Sequence, residues 1–187
     1  MTPQVSGWED LSAYRMADAE HAELLERQVE CTLVWLAADG HPIGAVVNYV
    51  FRRGRFWLTA TDHRPRIAAM RRDPRVSVVV SSRGSGITVR RSLTCRGRVT
   101  VRDDPGVKAW MLPELAAAVR PGSPERQAEF ARLLDSPGRL VLEVMPERWT
   151  GFDGAKMWSA APAAAPSADP EADMNTGFSD FDAKEIR

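Results

Sequence analysis

The chain has 187 residues, 44% hydrophobic and 27% charged, with 25 Lys+Arg against 25 Asp+Glu and a formal net charge of zero. That size and composition fit one folded domain, and no apolar run approaches the roughly 18 residues a membrane span needs. The zero is a sum of unlike parts: residues 159–187 hold six acids and two bases, leaving +4 on the rest, and residues 52–102 carry 14 Arg against only Asp62 and Asp73.

The start of the chain, Met1-Thr-Pro-Gln-Val-Ser-Gly, lacks the basic and apolar regions of a secretion signal, so the expected location is cytoplasmic. An amphipathic helix is expected over 12–30, where Tyr14, Ala17, His21, Leu24, Leu25 and Gln28 recur at spacings of three and four. A β-branched and aromatic strand follows over 31–38, then the turn signal Asp39-Gly40, a second strand over 41–51, and a third over 55–60 after Arg52-Arg53-Gly54. These three strands read as a meander. Pro65 opens a short helix over 66–72, which Asp73-Pro74 stops. A valine-rich strand is expected over 75–82 and a long, bulged one over 87–102. Asp104-Pro105 and Ser123-Pro124-Glu125 begin two helices, reaching about Val119 and Leu134. Residues 139–145 are the sixth strand, and 146–157 read as an extended closing segment. Cys31 and Cys95 each sit in a strand-like run without metal-ligand or C-x-x-C spacing, and are read as reduced core thiols.

After Trp158 the chain becomes rich in Ala, Pro and acids, a composition poor in large apolar residues. The expected organisation is one domain over 1–158 with an acidic tail over 159–187. Strands joined by hairpins, with helices between them, predict a mainly β protein with peripheral helices, a six-stranded antiparallel barrel rather than alternating βαβ units.

Chemistry concentrates at Trp57-Leu-Thr-Ala-Thr-Asp-His-Arg-Pro-Arg66. Thr59 and Thr61 alternate onto one face of a strand, and Arg64 and Arg66 flank the first turn of the helix that Pro65 opens. Hydroxyls, unsatisfied helix amides and guanidinium groups together suit a phosphate monoester. On the residues alone, a capped helix with solvated arginines is the preferred reading. No dinucleotide loop, P-loop, metal cluster or catalytic triad is present in the sequence, and no catalytic acid or base is assigned.

From Thr32 to Asp104 the chain resembles the pyridoxamine 5′-phosphate oxidase-like family of FMN-binding split β-barrels, which includes flavin- and deazaflavin (F420)-dependent oxidoreductases. The resemblance is carried by Asp39-Gly40-His41-Pro42, Gly44-Ala-Val-Val-Asn-Tyr49, Gly54-Arg-Phe-Trp-Leu-Thr59, Arg64-Pro-Arg-Ile-Ala-Ala-Met-Arg-Arg-Asp-Pro-Arg-Val76 and Cys95-Arg-Gly-Arg-Val99. Arg66 stands where the family commonly has Lys, and Ala68-Ala69 where it has a polar pair. The resemblance implies that Thr59, Thr61, Arg64 and Arg66 hold the phosphate of FMN or F420, and that Val46 and Asn48 lie at the ring. It also implies a homodimer with cofactor sites at its interface, approached by late aromatic residues such as Trp149 and Trp158. Arg90, Arg91, Arg96 and Arg98 would extend a positive groove suited to the longer anionic tail of F420.

Three functions follow as expectations. The first is an FMN- or F420-dependent oxidoreductase acting on a small organic substrate. The second is a non-catalytic carrier of a flavin, haem or another tetrapyrrole. The third, an Arg-rich nucleic-acid surface, has suitable local charge but no recognition motif.

Overall fold

The structure, a computed structural model, describes residues 10–162 and 165. Its strands are β1 Glu30–Leu36, β2 Pro42–Asn48, β3 Val50–Arg52, β4 Arg55–Thr61, β5 Arg75–Ser81, β6 Arg91–Arg102 and β7 Arg139–Asp153. The helices are α1 Asp18–Arg27, α2 Pro65–Arg72, α3 Pro105–Val119, α4 Pro124–Leu134 and α5 Gly154–Ala160, preceded by a 3-10 turn over Leu11–Tyr14. All strand pairs are antiparallel, in one curled sheet ordered β2-β1-β5-β6-β7-β4-β3.

Seven strands stand where six were expected because the strand predicted over 41–51 breaks at Tyr49. The residues before the break pair with β1, from Leu36↔Pro42 to Glu30↔Asn48, while Val50 pairs with Trp57 of β4. The Tyr49 amide leaves the ladder to bond the Val29 carbonyl at 2.9 Å. Its buried ring meets Phe56 edge-on at 5.2 Å, and its hydroxyl donates to the Leu25 carbonyl at 3.4 Å. With the corner anchored in this way, the chain passes from one sheet edge to the other. The expected meander becomes two hairpins at opposite edges, and the curled sheet brings β2 beside β4.

The helix expected over 12–30 is confined to α1. Gln28 has extended backbone, and its buried side chain donates to the carbonyls of Ser81 (2.6 Å) and Arg83 (2.8 Å). Those long-range bonds fasten the chain to the end of β5 and stop the helix at Arg27. At the other end, the segment expected to be extended over 146–157 divides in two. Residues to Asp153 continue β7, and the Asp153 carboxylate then accepts from the Ala155 amide at 2.8 Å to begin α5. Of the tail expected over 159–187, residues 163–164 and 166–187 lie outside the described residues; α5 runs two residues past the expected boundary at 158.

The bulge expected on the long strand is real, with its extra residue on the partner. Arg96 pairs with Arg148 and Gly97 with Pro146, so Glu147 is the unmatched residue. Pro146 has no amide to offer the ladder, which favours a bulge there. At Gly97 a Cβ would lie 2.3 Å from the Met145 carbonyl oxygen, so only glycine allows the two backbones to pass this closely.

Two apolar clusters hold the domain. The larger fills the barrel with Leu33, Phe56, Leu58, Val78, Leu93 and Leu142, closed at one end by Ile67 and Met70 of α2. The smaller lies outside the sheet, where Met111, Leu112, Leu115 and Leu134 of α3 and α4 cover Val50, Trp57 and Val141. Beside it Glu143, 3% exposed, accepts from Arg55 and Arg102. Cys31 and Cys95 are free and buried, and burial pushes their thiols up to about 12 and about 11.

Candidate functional site

β4 alternates strictly. Phe56, Leu58 and Ala60 point into the barrel, which leaves Arg55, Trp57, Thr59 and Thr61 on the outer face. Thr61 ends the strand directly opposite Arg139, the first residue of β7. The chain then turns, with the Arg64 amide bonded to the Thr61 carbonyl at 3.1 Å, and Pro65 opens α2. No side chain caps this helix; Pro65 has no amide proton and the Ile67 amide donates to the Arg64 carbonyl at 2.9 Å, which leaves the Arg66 amide with its donor capacity.

Gly138 brings the second half of the site to the first. Its φ is +71°, its carbonyl accepts from the Asp62 amide at 2.9 Å, and a Cβ there would meet Asp62 Oδ1 at 2.6 Å. This contact sets the start of β7 against the turn before α2. Arg139 therefore joins Arg64 and Arg66.

The three arginines are not paired with acids. Arg66 Nε and Arg139 Nε are both buried without a hydrogen-bond partner, while Arg139 Nη2 donates to Ser136 Oγ at 3.0 Å. Loss of solvent lowers the pKa of both guanidinium groups, and repulsion from the nearby Arg64 lowers them further. Among the described residues none of the three makes an ion pair. Buried donors without acceptors cost stability. A dianion placed between them would satisfy those donors and relieve the mutual repulsion.

The other expected residues divide. Thr61 Oγ1 lies 3.4 Å from Nε2 of the exposed His63 and stays at the edge of the cluster. Thr59 is turned to structural use: its hydroxyl proton is donated to the Leu140 carbonyl at 2.8 Å, so it is not a free donor. Val46, 68% exposed, and the half-buried Asn48 lie on the outer face of edge strand β2. The Asn48 amide donates to the Val29 carbonyl at 3.3 Å. Sequence reasoning missed Arg139, for which the only signal was an Arg directly after a glycine turn.

Two further expectations change. Arg91 does not extend a groove: it is bound to Glu23 (2.7 Å), Asp153 (3.0 Å) and Glu20 (3.6 Å), tying α1 to β6 and β7. Trp149 is core filling, packed against Phe56 at 5.8 Å and Phe51 at 6.2 Å. Trp158 lines a recess of about 350 Å³ with Arg90, Ser92 and Phe152.

A curled antiparallel sheet with an uncapped helix N-terminus set among arginines that make no ion pair among the described residues defines a split-barrel protein with a cationic corner. The chain belongs to the pyridoxamine 5′-phosphate oxidase family, whose model matches residues 17–153. A conserved hypothetical protein of Mycobacterium tuberculosis, Rv2991, has the same fold at a TM-score of 0.68, with 19% identity over 84% of this chain and 94% of that one. A FAD-binding protein of Mesorhizobium loti aligns at a TM-score of 0.55, with 20% identity over 74% and 95%. A protein described as an F420 reductase aligns at 0.51, with 22% identity over 67% and 92%. Likeness at these identities establishes the fold. No curated protein sequence matches the chain. No helix among the described residues is long and apolar enough to cross a membrane.

Proposed function

We propose that the protein is an oxidoreductase that binds FMN or F420, with the cofactor phosphate held by Arg64, Arg66, Arg139 and the first turn of α2. The observation that carries this reading is the pair of buried, unpartnered guanidinium nitrogens on Arg66 and Arg139. Family membership and the flavin-binding and F420-reducing proteins of the same fold support the cofactor class. When bound, such a cofactor supplies hydride transfer. The chain's own part is to anchor the phosphate, orient the ring near Val46 and Asn48 where β2 passes β4, and limit water there.

The reading includes a homodimer in which the Trp158 recess of one protomer faces the cofactor of its partner. That recess combines aromatic side chains with Arg90, a mixture common at interfaces. Titrating the purified protein with FMN and with F420 tests the proposal. Saturable binding of one cofactor per protomer, followed by reduction with a nicotinamide donor, is expected. Binding of neither cofactor overturns the site. Binding without reduction by nicotinamide or quinol donors replaces the enzyme with a carrier. A protomer mass in sedimentation overturns the dimer.

A further inference from the structure

The corner just described occupies one end of β7. Nine residues further along the same strand, roughly 30 Å away at about 3.3 Å per residue, the outer face of the sheet holds a groove of about 520 Å³. Val34, Leu36 and Pro42 give it an apolar floor beside Ser77, and Arg96 and Arg148 stand on its rim. The groove lies at the bulge, where Gly97 and the unmatched Glu147 both line it and the ladder is locally disrupted.

The rim charges are arranged against their own stability. Arg96 is directly opposite Arg148 in the β6–β7 ladder, and Arg75, which also lines the groove, is directly opposite Arg98, which does not, in the β5–β6 ladder. Like charges in facing positions repel. Asp73 neutralises Arg75, at 2.6 Å, whereas Arg96 and Arg148 make no ion pair among the described residues. Solvated arginines on a flat sheet would need no such hollow. Here two guanidinium groups share the edge of an apolar cavity whose size falls within the 300–1,000 Å³ of small-molecule sites.

We propose that this groove is a second ligand site, for an organic monoanion whose carboxylate, sulfonate or phosphate lies between Arg96 and Arg148 and whose apolar frame covers Val34, Leu36 and Pro42. The single acid Glu147 on the rim disfavours a second negative charge on the ligand, which separates it from polyphosphates and nucleic acid. The site stands independently of the phosphate corner.

The test is an amide NMR titration of the full chain with 8-anilinonaphthalene-1-sulfonate, an aromatic monoanion. Saturable shifts confined to the amides around Ser77, Gly97 and Arg148 are expected. Arg96→Gln/Arg148→Gln should weaken binding at least tenfold, and Arg148→Glu, which gives Arg96 a cross-strand partner and preserves the fold, should do the same. Arg66→Met should leave this affinity unchanged while weakening FMN or F420, so the two sites fail separately. The proposal is overturned if the shifts fall elsewhere, if uncharged N-phenyl-1-naphthylamine binds as tightly, or if tripolyphosphate competes as well as the sulfonate. It is equally overturned if binding is absent because sedimentation and cross-linking show a second copy covering Arg148.

Discussion

Replacing Arg66 by Met separates a binding residue from a structural one, because the two roles predict opposite signs. Met keeps an unbranched aliphatic side chain and removes the guanidinium. A buried donor without a partner costs about 1–3 kcal/mol. Arg66 is only half-buried, so the lower end applies and the unliganded protein should gain about 1 kcal/mol, or about 2–4 °C in Tm for a chain of this size. In the complex the same substitution loses a charge-assisted hydrogen bond worth about 1.5–3 kcal/mol, a fall of roughly 10- to 150-fold in affinity for FMN or F420. Differential scanning calorimetry with and without cofactor, together with isothermal titration, reads both quantities on one preparation. A variant that melts lower than wild type without ligand and binds the cofactor unchanged would refute the reasoning, since it would mean that the Arg66 guanidinium stabilises the fold and holds no anion.

Other outcomes follow from the packing. Gly97→Ala places a methyl 2.3 Å from the Met145 carbonyl oxygen and should cost about 3 kcal/mol in urea denaturation, the upper end for an overpacked site that backbone must relieve. Glu143→Gln removes the buried acid between Arg55 and Arg102, whose side chains are 36% and 37% exposed. Because both can rehydrate, the loss should be about 1–2 kcal/mol rather than the 3–5 of a fully buried pair. The Cys31 thiol has its pKa raised by burial from 9.0 to about 12, so above pH 9 the unfolded chain releases a proton that the folded chain retains. The contribution to stability is whole below pH 9 and is lost as pH rises toward 12. Alkaline unfolding followed by circular dichroism should therefore be shallower in Cys31→Ala, and neither thiol should react with a disulfide reagent at pH 8 until the chain unfolds.

Much of the architecture was legible because it rests on local signals. The Asp39-Gly40 turn, proline at the first position of α2, α3 and α4, the β-branched and aromatic run of β1 and the valine run of β5 each act over a few residues and appear where expected. The errors fall where distant groups intervene. Gln28 reads as part of a helical face, yet bonds from its side chain to Ser81 and Arg83, more than 50 residues away, end the helix. Tyr49 sits inside a continuous strand pattern, yet burial of its ring breaks the strand and sends the chain to the opposite edge of the sheet.

The site divides along the same line. Sequence by itself determined that hydroxyls and arginines gather at a strand-to-helix junction, because Thr59, Thr61, Arg64 and Arg66 lie within eight residues and their spacing sets their faces. It also carried the family. Only tertiary structure decided which of them remain available. A β-ladder fixes partners by register rather than by proximity along the chain, and register placed Arg139 opposite Thr61 and put Thr59 beside the Leu140 carbonyl that takes its proton. The same register set Arg96 against Arg148 at the bulge. Whether an arginine is solvated, spent in an ion pair or left with an unsatisfied nitrogen depends on what surrounds it, and those neighbours come from strands far apart in the chain.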